Sequence, residues 1–184
     1  IHLKSSHPEK FDTEKLNHAL RRSEQTFIAI AACEYHFLLL DSERKVYGLG
    51  SNKYKQLGSI EGSPNWIEYP TIIQHNHSTP ITKIYTSKYS SLLIDNNGQL
   101  ISIGEINRKL NPSQTANLTE AYVIPCPDVK FKHANLSRRH IIAIDCENRL
   151  WGIGNNSDLQ LGLAYNHHEV NLTEMTMIWN KRFP

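Results

Sequence analysis

Cysteine, excess charge and long apolar runs are all scarce in this chain, and each scarcity argues against a class of protein. The 184 residues contain three cysteines, none in a Cys-x-x-Cys pair, which is unlike a disulfide framework or a structural zinc site. Lysine and arginine total 20 against 18 acidic residues, so the basic excess of a dedicated nucleic-acid binder is missing. No apolar run approaches the ~20 residues that a membrane-spanning helix needs.

Motifs for nucleotide or acid–base chemistry are also missing. Gly48–Gly50 and Gly152–Gly154 lack the third glycine and the following helix that would hold a phosphate. The sequence has no Walker-type Gly-Lys-Ser/Thr and no nucleophile elbow. The densest histidine groups, at His75–His77 and His167–Glu169, have no further cysteine or carboxylate at a zinc-ligand spacing. We therefore expect no catalytic residue, no metal and no cofactor.

The chain repeats itself with a period near fifty residues. His36–Asp41 leads into Tyr-Gly-Leu-Gly-Ser-Asn at 47–52, and His140–Asp145 leads into Trp-Gly-Ile-Gly-Asn-Asn at 151–156. Gln-Leu-Gly follows each run at the same spacing. Between them, Ser90–Asp95 begins a worn copy that keeps its strands and has lost the signature loop. The structural repeat residues are Gly48, Gly50, Asn52, Gln56, Leu57, Gly58, Gly104, Gly152, Gly154, Asn156, Gln160, Leu161 and Gly162.

Each copy predicts a small antiparallel sheet. Runs such as Phe27–Ala31 and Phe37–Leu40 have strand length and are separated by turn residues, including Asp-Asn-Asn-Gly at 95–98. A fourth strand is predicted after a longer loop, at Trp66–Ile73, Ala121–Ile124 and Glu174–Trp179. Continuously apolar strands suit blades that neighbouring blades cover on both faces. The sequence therefore predicts an all-β partial β-propeller of about three four-stranded antiparallel blades, with an N-terminal helix.

The predicted boundaries are a leader at 1–26 and repeats at 27–79, 80–127 and 128–184, the second of them degenerate. In the leader, Phe11, Leu16, Ala19 and Leu20 with flanking charges indicate an amphipathic helix that begins near Pro8 and caps an open blade. A disordered or strand-forming leader is the alternative.

Three blades cannot close a ring, because propellers have about four to eight. The chain begins at Ile1 rather than Met, which indicates a piece of a longer protein. A shortened protein with capped ends is an alternative, and an arc that a partner completes is another. We expect open blade edges to pair with missing blades or with a second copy.

The pattern His-x-x-apolar, Tyr/Trp-Gly-x-Gly-x-Asn and Gln-Leu-Gly resembles the repeat of the regulator of chromosome condensation family over residues 27 to 184. The resemblance implies the seven-bladed propeller of that family, with four strands in each blade. The best-known member is the exchange factor of the small GTPase Ran, so the resemblance also implies a small GTPase of the Ran or Rab type as partner. That factor inserts a β-wedge near the nucleotide, for which Ile60–Ile73 is the only insertion to nominate here.

In the Ran exchange factor, the repeat histidine lies on the face that meets the GTPase. The resemblance therefore nominates as partner-binding residues Tyr35, His36, Arg138, Arg139 and His140. The alternative for the two histidines is a structural hydrogen bond at the mouth of the second strand. A basic cluster could meet nucleic acid or an acidic protein face, or be a solvated blade surface: Lys130, Lys132, Arg138 and Arg139.

The sequence thus predicts a protein-binding module for a small GTPase, with at most nucleotide exchange and no bond-making chemistry. A scaffolding module without exchange activity is the alternative, as is chromatin binding, which the near-neutral charge disfavours. The short array and the Asn-, Ile- and Lys-rich composition suggest a bacterial effector that acts in a host cytosol. The predicted location is cytoplasmic, with the nucleus as the alternative.

Overall fold

The chain is described by a computed structural model that covers residues 26–62, 65–75, 77–110, 120–163 and 171–179. These residues form three four-stranded antiparallel sheets, each with its strands in sequence order. The predicted all-β fold of three propeller blades is therefore confirmed. The helix predicted in the leader lies outside the described residues. No helix within the described ranges is long and apolar enough to cross a membrane.

The first blade consists of four strands, β1 (Phe27–Ala32), β2 (His36–Asp41), β3 (Val46–Ser51) and β4 (Trp66–Ile72). The segment nominated as a wedge, Ile60–Ile73, contains β4. Since β4 pairs with β3 along the blade, that nomination is wrong for the second half of the segment, which belongs to the sheet rather than projecting from it.

The second blade consists of β5 (Ile81–Ser87), β6 (Ser90–Asp95), β7 (Leu100–Gly104) and β8 (Tyr122–Val123). A single helical turn, α1 (Asn107–Leu110), follows β7 at the place where this copy has lost its signature loop. The third blade consists of β9 (Phe131–Leu136), β10 (His140–Asp145), β11 (Leu150–Asn155) and β12 (Asn171–Trp179).

The register is the same in all three blades. The first residue of the second strand pairs with the second repeat glycine: His36 with Gly50, Ser90 with Gly104, and His140 with Gly154. Because the strands are antiparallel, the turns between the first and second strands all lie on one edge of the arc. The turns between the second and third strands lie on the opposite edge.

Two apolar layers join the blades, and neighbouring residues of β6 face different layers. Leu93 packs into the layer between the first and second blades, whereas Leu92 and Ile94 pack into the layer between the second and third. This alternation is the period of two expected of a strand that is covered on both faces. It explains why β6 reads as a continuously apolar run rather than as an alternating one.

Candidate protein-binding surface

The turns between the first and second strands carry a row of side chains along one edge of the three blades. We call this row the turn stripe; it consists of Glu34, Tyr35, Lys88, Tyr89, Arg138 and Arg139. Each blade contributes two residues from the same two repeat positions. The turn stripe therefore follows from the repeat, although its chemistry changes from one blade to the next.

The second repeat glycine fixes the backbone beneath each pair. Gly50 has a φ of 97°, and a Cβ atom there would lie 2.5 Å from the carbonyl oxygen of Tyr35. Gly104 has a φ of 98° and approaches the carbonyl of Tyr89 in the same way, at 2.6 Å. Only glycine adopts this backbone at such close approach without strain. The structural glycines of the repeat therefore position the turn residues that the surface presents.

Tyr89 is the centre of the turn stripe. Its ring stacks with that of Tyr35, with centroids 6.2 Å apart and planes 12° apart, and it contacts Tyr54 from the loop after β3 at 4.4 Å. The guanidinium of Arg138 lies 5.1 Å from the Tyr89 centroid. Aromatic and cation–π contacts of this kind join the turns of all three blades into one surface.

Lys88 connects charge to the aromatic rings. Its Nζ atom lies 4.9 Å from the Tyr35 centroid and 3.3 Å from Oε2 of Glu34. Hydrogen bonds from Tyr35 and Lys88 lower the pKa of Glu34, and bonds with Tyr35 and Glu34 raise the pKa of Lys88. Both groups are therefore charged at neutral pH. The one carboxylate of the turn stripe is already paired, whereas the side chains of Arg138 and Arg139 are exposed.

His36, nominated as a partner-binding residue, is buried between the first two blades with 1% of its surface exposed. Its Nε2 atom lies 3.0 Å from Oγ of Ser91 in the second blade. Ser91 donates to the carbonyl of Gln56 at 2.7 Å, so the serine oxygen accepts a hydrogen bond from Nε2–H. Burial lowers the pKa of His36 to about 4. The ring joins two blades and does not itself reach the surface.

His140 occupies the same repeat position in the third blade and is half-buried. Its Nδ1 atom lies 2.8 Å from Oγ of Ser137, and burial lowers its pKa as well. The backbone N–H groups of Arg139 and His140 both donate to Ser137 Oγ, at 3.1 and 3.0 Å. Ser137 thereby fixes the turn from which Arg138 and Arg139 project.

The repeat has a further position that sequence reasoning missed. Cys33, Ser87 and Ser137 each donate from Sγ or Oγ to the carbonyl of the residue three positions later. A small hydrogen-bonding side chain therefore closes the turn of every blade. The signal was available, because these residues precede the His36, Ser90 and His140 position by the same distance.

The structure brings together some of the nominated residues and separates others. Tyr35 and Arg138 both contact Tyr89. The sequence did not nominate Tyr89, Lys88 or Tyr54. Tyr89 could have been found, because it stands directly before Ser90 as Tyr35 stands before His36. Tyr54 could not have been found in this way, because the third blade has Asp158 at the position of Tyr54 and the second blade has lost the loop.

The predicted basic cluster is divided by β9. Lys130 lies beside Gly98 in a turn of the opposite edge, and Lys132 contacts Asn148 in another such turn. Since β9 spans Phe131–Leu136 and a strand rises about 3.3 Å per residue, these lysines lie far from Arg138. The interpretation as one basic patch is therefore wrong, and only the two arginines belong to the turn stripe.

The paired histidines also lie at the opposite edge. Nε2 of His77 lies 2.7 Å from Oδ2 of Asp95, whose side chain is fully buried. Within the described ranges, no group of three or more His, Cys, Asp or Glu side chains is placed to hold a metal ion. The arrangement of His77 and Asp95 is a structural link at the base of a turn.

Comparison with known proteins gives relatives in sequence. No protein-family model matches the chain. The chain is 26% identical to the RCC2 homolog of Danio rerio, over 71% of this chain and 32% of that protein. It is 27% identical to RCC2 of Mus musculus, over 69% of this chain and 30% of that protein. The chain thus spans about a third of the length of the curated relatives it matches.

Solved structures share the fold. Human WBSCR16 superposes with a TM-score of 0.69 at 16% identity, covering 86% of this chain and 40% of that one. Yeast RCC1 (Prp20), solved with Kap60, superposes with a TM-score of 0.68 at 20% identity, over 85% of this chain and 38% of that one. Prp20p has also been described with its binding properties to Gsp1p and histones. At these identities, the likeness shows the propeller fold alone.

Proposed function

Since the chain is an RCC1-like β-propeller, as its repeats predict, we propose that it is a binding module that recognises a small GTPase of the Ran or Rab type through the turn stripe. The observation that carries the proposal is the contact of Tyr89 with Tyr35 and Arg138, which makes one surface from the turns of three blades. The described binding of Prp20p to Gsp1p and histones supports a protein partner.

The composition of the turn stripe supports protein recognition. Tyrosine and arginine are enriched at the centres of protein interfaces, where they contribute a large share of the binding energy. Their mutual stacking holds the side chains in place before a partner arrives, which lowers the entropic cost of binding. His36 contributes indirectly in this proposal, because it holds the first blade against the second and so keeps Tyr35 beside Tyr89.

Nucleotide exchange is the finer part of the proposal and requires no bond chemistry. A binder that prefers the nucleotide-free GTPase over the loaded form expels GDP through that difference in affinity alone. The surface would act by binding rather than by catalytic residues. A scaffolding module would bind both states equally and release nothing.

A second surface belongs to the proposal, namely the face of the third blade that points away from the second. Leu40 in the first blade is fully buried beneath the second blade. Ile144 occupies the same repeat position in the third blade and is 37% exposed. In the first blade, the second blade covers the corresponding face. The outer face of the third blade would therefore be covered by a further blade or by a second copy of the chain.

The experiment that tests the GTPase proposal measures binding and GDP release together. Ran and a set of Rab GTPases would be loaded with fluorescent GDP, and the chain's affinity for the loaded and nucleotide-free forms measured alongside. We expect Arg139→Glu to weaken binding at least about tenfold. Arg44→Glu is the matched control, because Arg44 is exposed on the opposite edge. The Arg44→Glu variant should bind the GTPase with the same affinity as the unmodified chain.

The outcomes separate the candidate functions. Faster GDP release that Arg139→Glu abolishes would support an exchange factor that acts through the turn stripe. Tight binding without faster release would support a scaffold for the GTPase. Failure to bind any GTPase in any nucleotide state would overturn the proposal, and histone binding would then favour the chromatin alternative.

A further inference from the structure

The turn stripe has a specific chemistry, from which we infer that its docking partner presents an acidic segment, a stretch of Asp and Glu side chains. The inference rests on the proposed use of the turn stripe as a binding surface and specifies the chemistry of the partner segment that binds there. It does not depend on the identity of the protein that carries the segment.

The first step is charge. Lys88, Arg138 and Arg139 give the turn stripe three cations against one carboxylate, Glu34, which Lys88 already pairs at 3.3 Å. Lys53 lies at the same edge, with its Nζ atom 6.0 Å from the centroid of the Tyr54 ring. The same edge also carries two carboxylates outside the turn stripe: Asp158, whose backbone N–H donates to Gln160, and Glu105, whose backbone N–H donates to the carbonyl of Tyr89. The exposed excess at the turn stripe itself is positive, although the whole chain is nearly neutral.

The second step excludes base stacking as the main mode of binding. Nucleic-acid platforms need ring faces that are open to bases. The Tyr89 ring is already in contact with Tyr35, Tyr54 and Arg138, and Lys88 lies 5.7 Å from its centroid. With these neighbours around its ring, Tyr89 at the centre of the turn stripe is poorly placed to stack on a base, and the centre offers cations and hydroxyl groups instead.

The third step is the geometry of the cations. A guanidinium stacked on an aromatic ring keeps its N–H donors in its own plane, where they suit the two oxygens of a carboxylate. The Arg138 guanidinium lies 5.1 Å from the Tyr89 centroid, and Ser137 fixes the backbone of the turn that carries both arginines. Two arginines in one turn, the first of them in contact with Tyr89, favour a run of carboxylates over an isolated one.

The test uses a labelled peptide rich in Glu and Asp, with a lysine-rich peptide of equal length and a thymine oligonucleotide of equal charge for comparison. Fluorescence anisotropy would measure binding to the full chain at low and at physiological salt. We expect the acidic peptide alone to bind, with an affinity that falls as salt rises. Arg138→Glu should weaken it at least about tenfold, Arg138→Lys by less, and Arg44→Glu not at all.

Circular dichroism of each variant would confirm that the exposed substitutions leave the fold intact. An acidic peptide that fails to bind, or binds Arg138→Glu as well as the unmodified chain, overturns the inference. Equal or tighter binding of the oligonucleotide overturns it in favour of nucleic acid. A GTPase that docks on the turn stripe without any affinity for the peptide overturns only this inference, whereas peptide binding without any GTPase binding overturns only the proposed function.

Discussion

At the scale of single residues, His36 has the most unusual environment among the nominated residues. Its ring connects Cys33, at 3.2 Å from Nδ1, to Ser91 of the next blade, at 3.0 Å from Nε2. This chain of contacts crosses the boundary between blades, and the side chains of His36 and Ser91 in it are buried. Protonation would turn Nδ1 into a donor and place a charge where, among the residues that the structure describes, no carboxylate is hydrogen-bonded to the ring.

The burial of His36 predicts a loss of stability in mild acid. Its pKa is about 4 in the folded chain against 6.5 for the ordinary histidine, so only the unfolded chain takes up this proton between those values. Its stabilising effect is complete above pH 6.5 and is lost as the pH falls towards 4, by roughly 3 kcal/mol in total. Urea unfolding at pH 7 and near pH 4.5 measures this change.

The variant His36→Gln isolates the contribution, because glutamine still offers an N–H to Ser91 and does not titrate. We expect the free energy of unfolding to depend less on pH in this variant than in the unmodified chain. His140→Gln is the control, since His140 is only half-buried and should change the profile less. Identical pH profiles for His36→Gln and the unmodified chain would contradict the assigned environment.

The buried aspartates show which residue-scale contacts the sequence could predict. Asp41 and Asp145 accept hydrogen bonds from Tyr47 and Trp151, six residues later in both cases. The second blade has Ile101 at that position, which offers no donor, and His77 from the preceding linker supplies one. The repeated aspartate was visible in the sequence, whereas its partner in the worn copy depends on how the linker folds back.

At the scale of elements, the repeat predicted the strands because each is a short apolar run bounded by turn residues. It predicted the degeneration of the second copy but not α1, because Asn107–Leu110 is a single helical turn without an amphipathic period. Its placement follows from Asn107, whose Oδ1 accepts a hydrogen bond from Ser102 at 2.6 Å and whose Nδ2 donates to the carbonyl of Glu120. Such contacts across an intervening segment leave no local signal.

The outer face of the third blade carries a prediction at the same scale. If Ile144 belongs to an unfilled blade interface, the isolated chain should self-associate or bind further blades through it. We expect Ile144→Lys to reduce the sedimentation coefficient of any associated species to that of the monomer. Met177→Lys is the control, because Met177 is exposed on the outermost strand of the third blade and pairs with Trp151, which packs towards the second blade. An unchanged distribution for Ile144→Lys would contradict this role for the face.

At the scale of the whole molecule, the chain is a three-bladed arc whose two edges differ in chemistry. One edge carries the turn stripe, with tyrosines and cations in contact across three blades. The other edge carries turns closed by Asp41, Asp95 and Asp145, whose side chains accept hydrogen bonds from backbone N–H groups of the same turns. The first edge is therefore the one on which aromatic and charged side chains from all three blades form a single surface.

A hydrogen–deuterium exchange footprint of the chain with the nucleotide-free Ran- or Rab-type GTPase that binds it tests whether the turn stripe is the binding surface. If the turn stripe is the binding surface, exchange slows in the peptides that contain residues 33–36, 87–90 and 137–140. Exchange in the turns at 42–45, 96–99 and 146–149 stays unchanged. Protection confined to those opposite turns, or to the outer face of the third blade, would contradict the claim that the turn stripe is the binding surface.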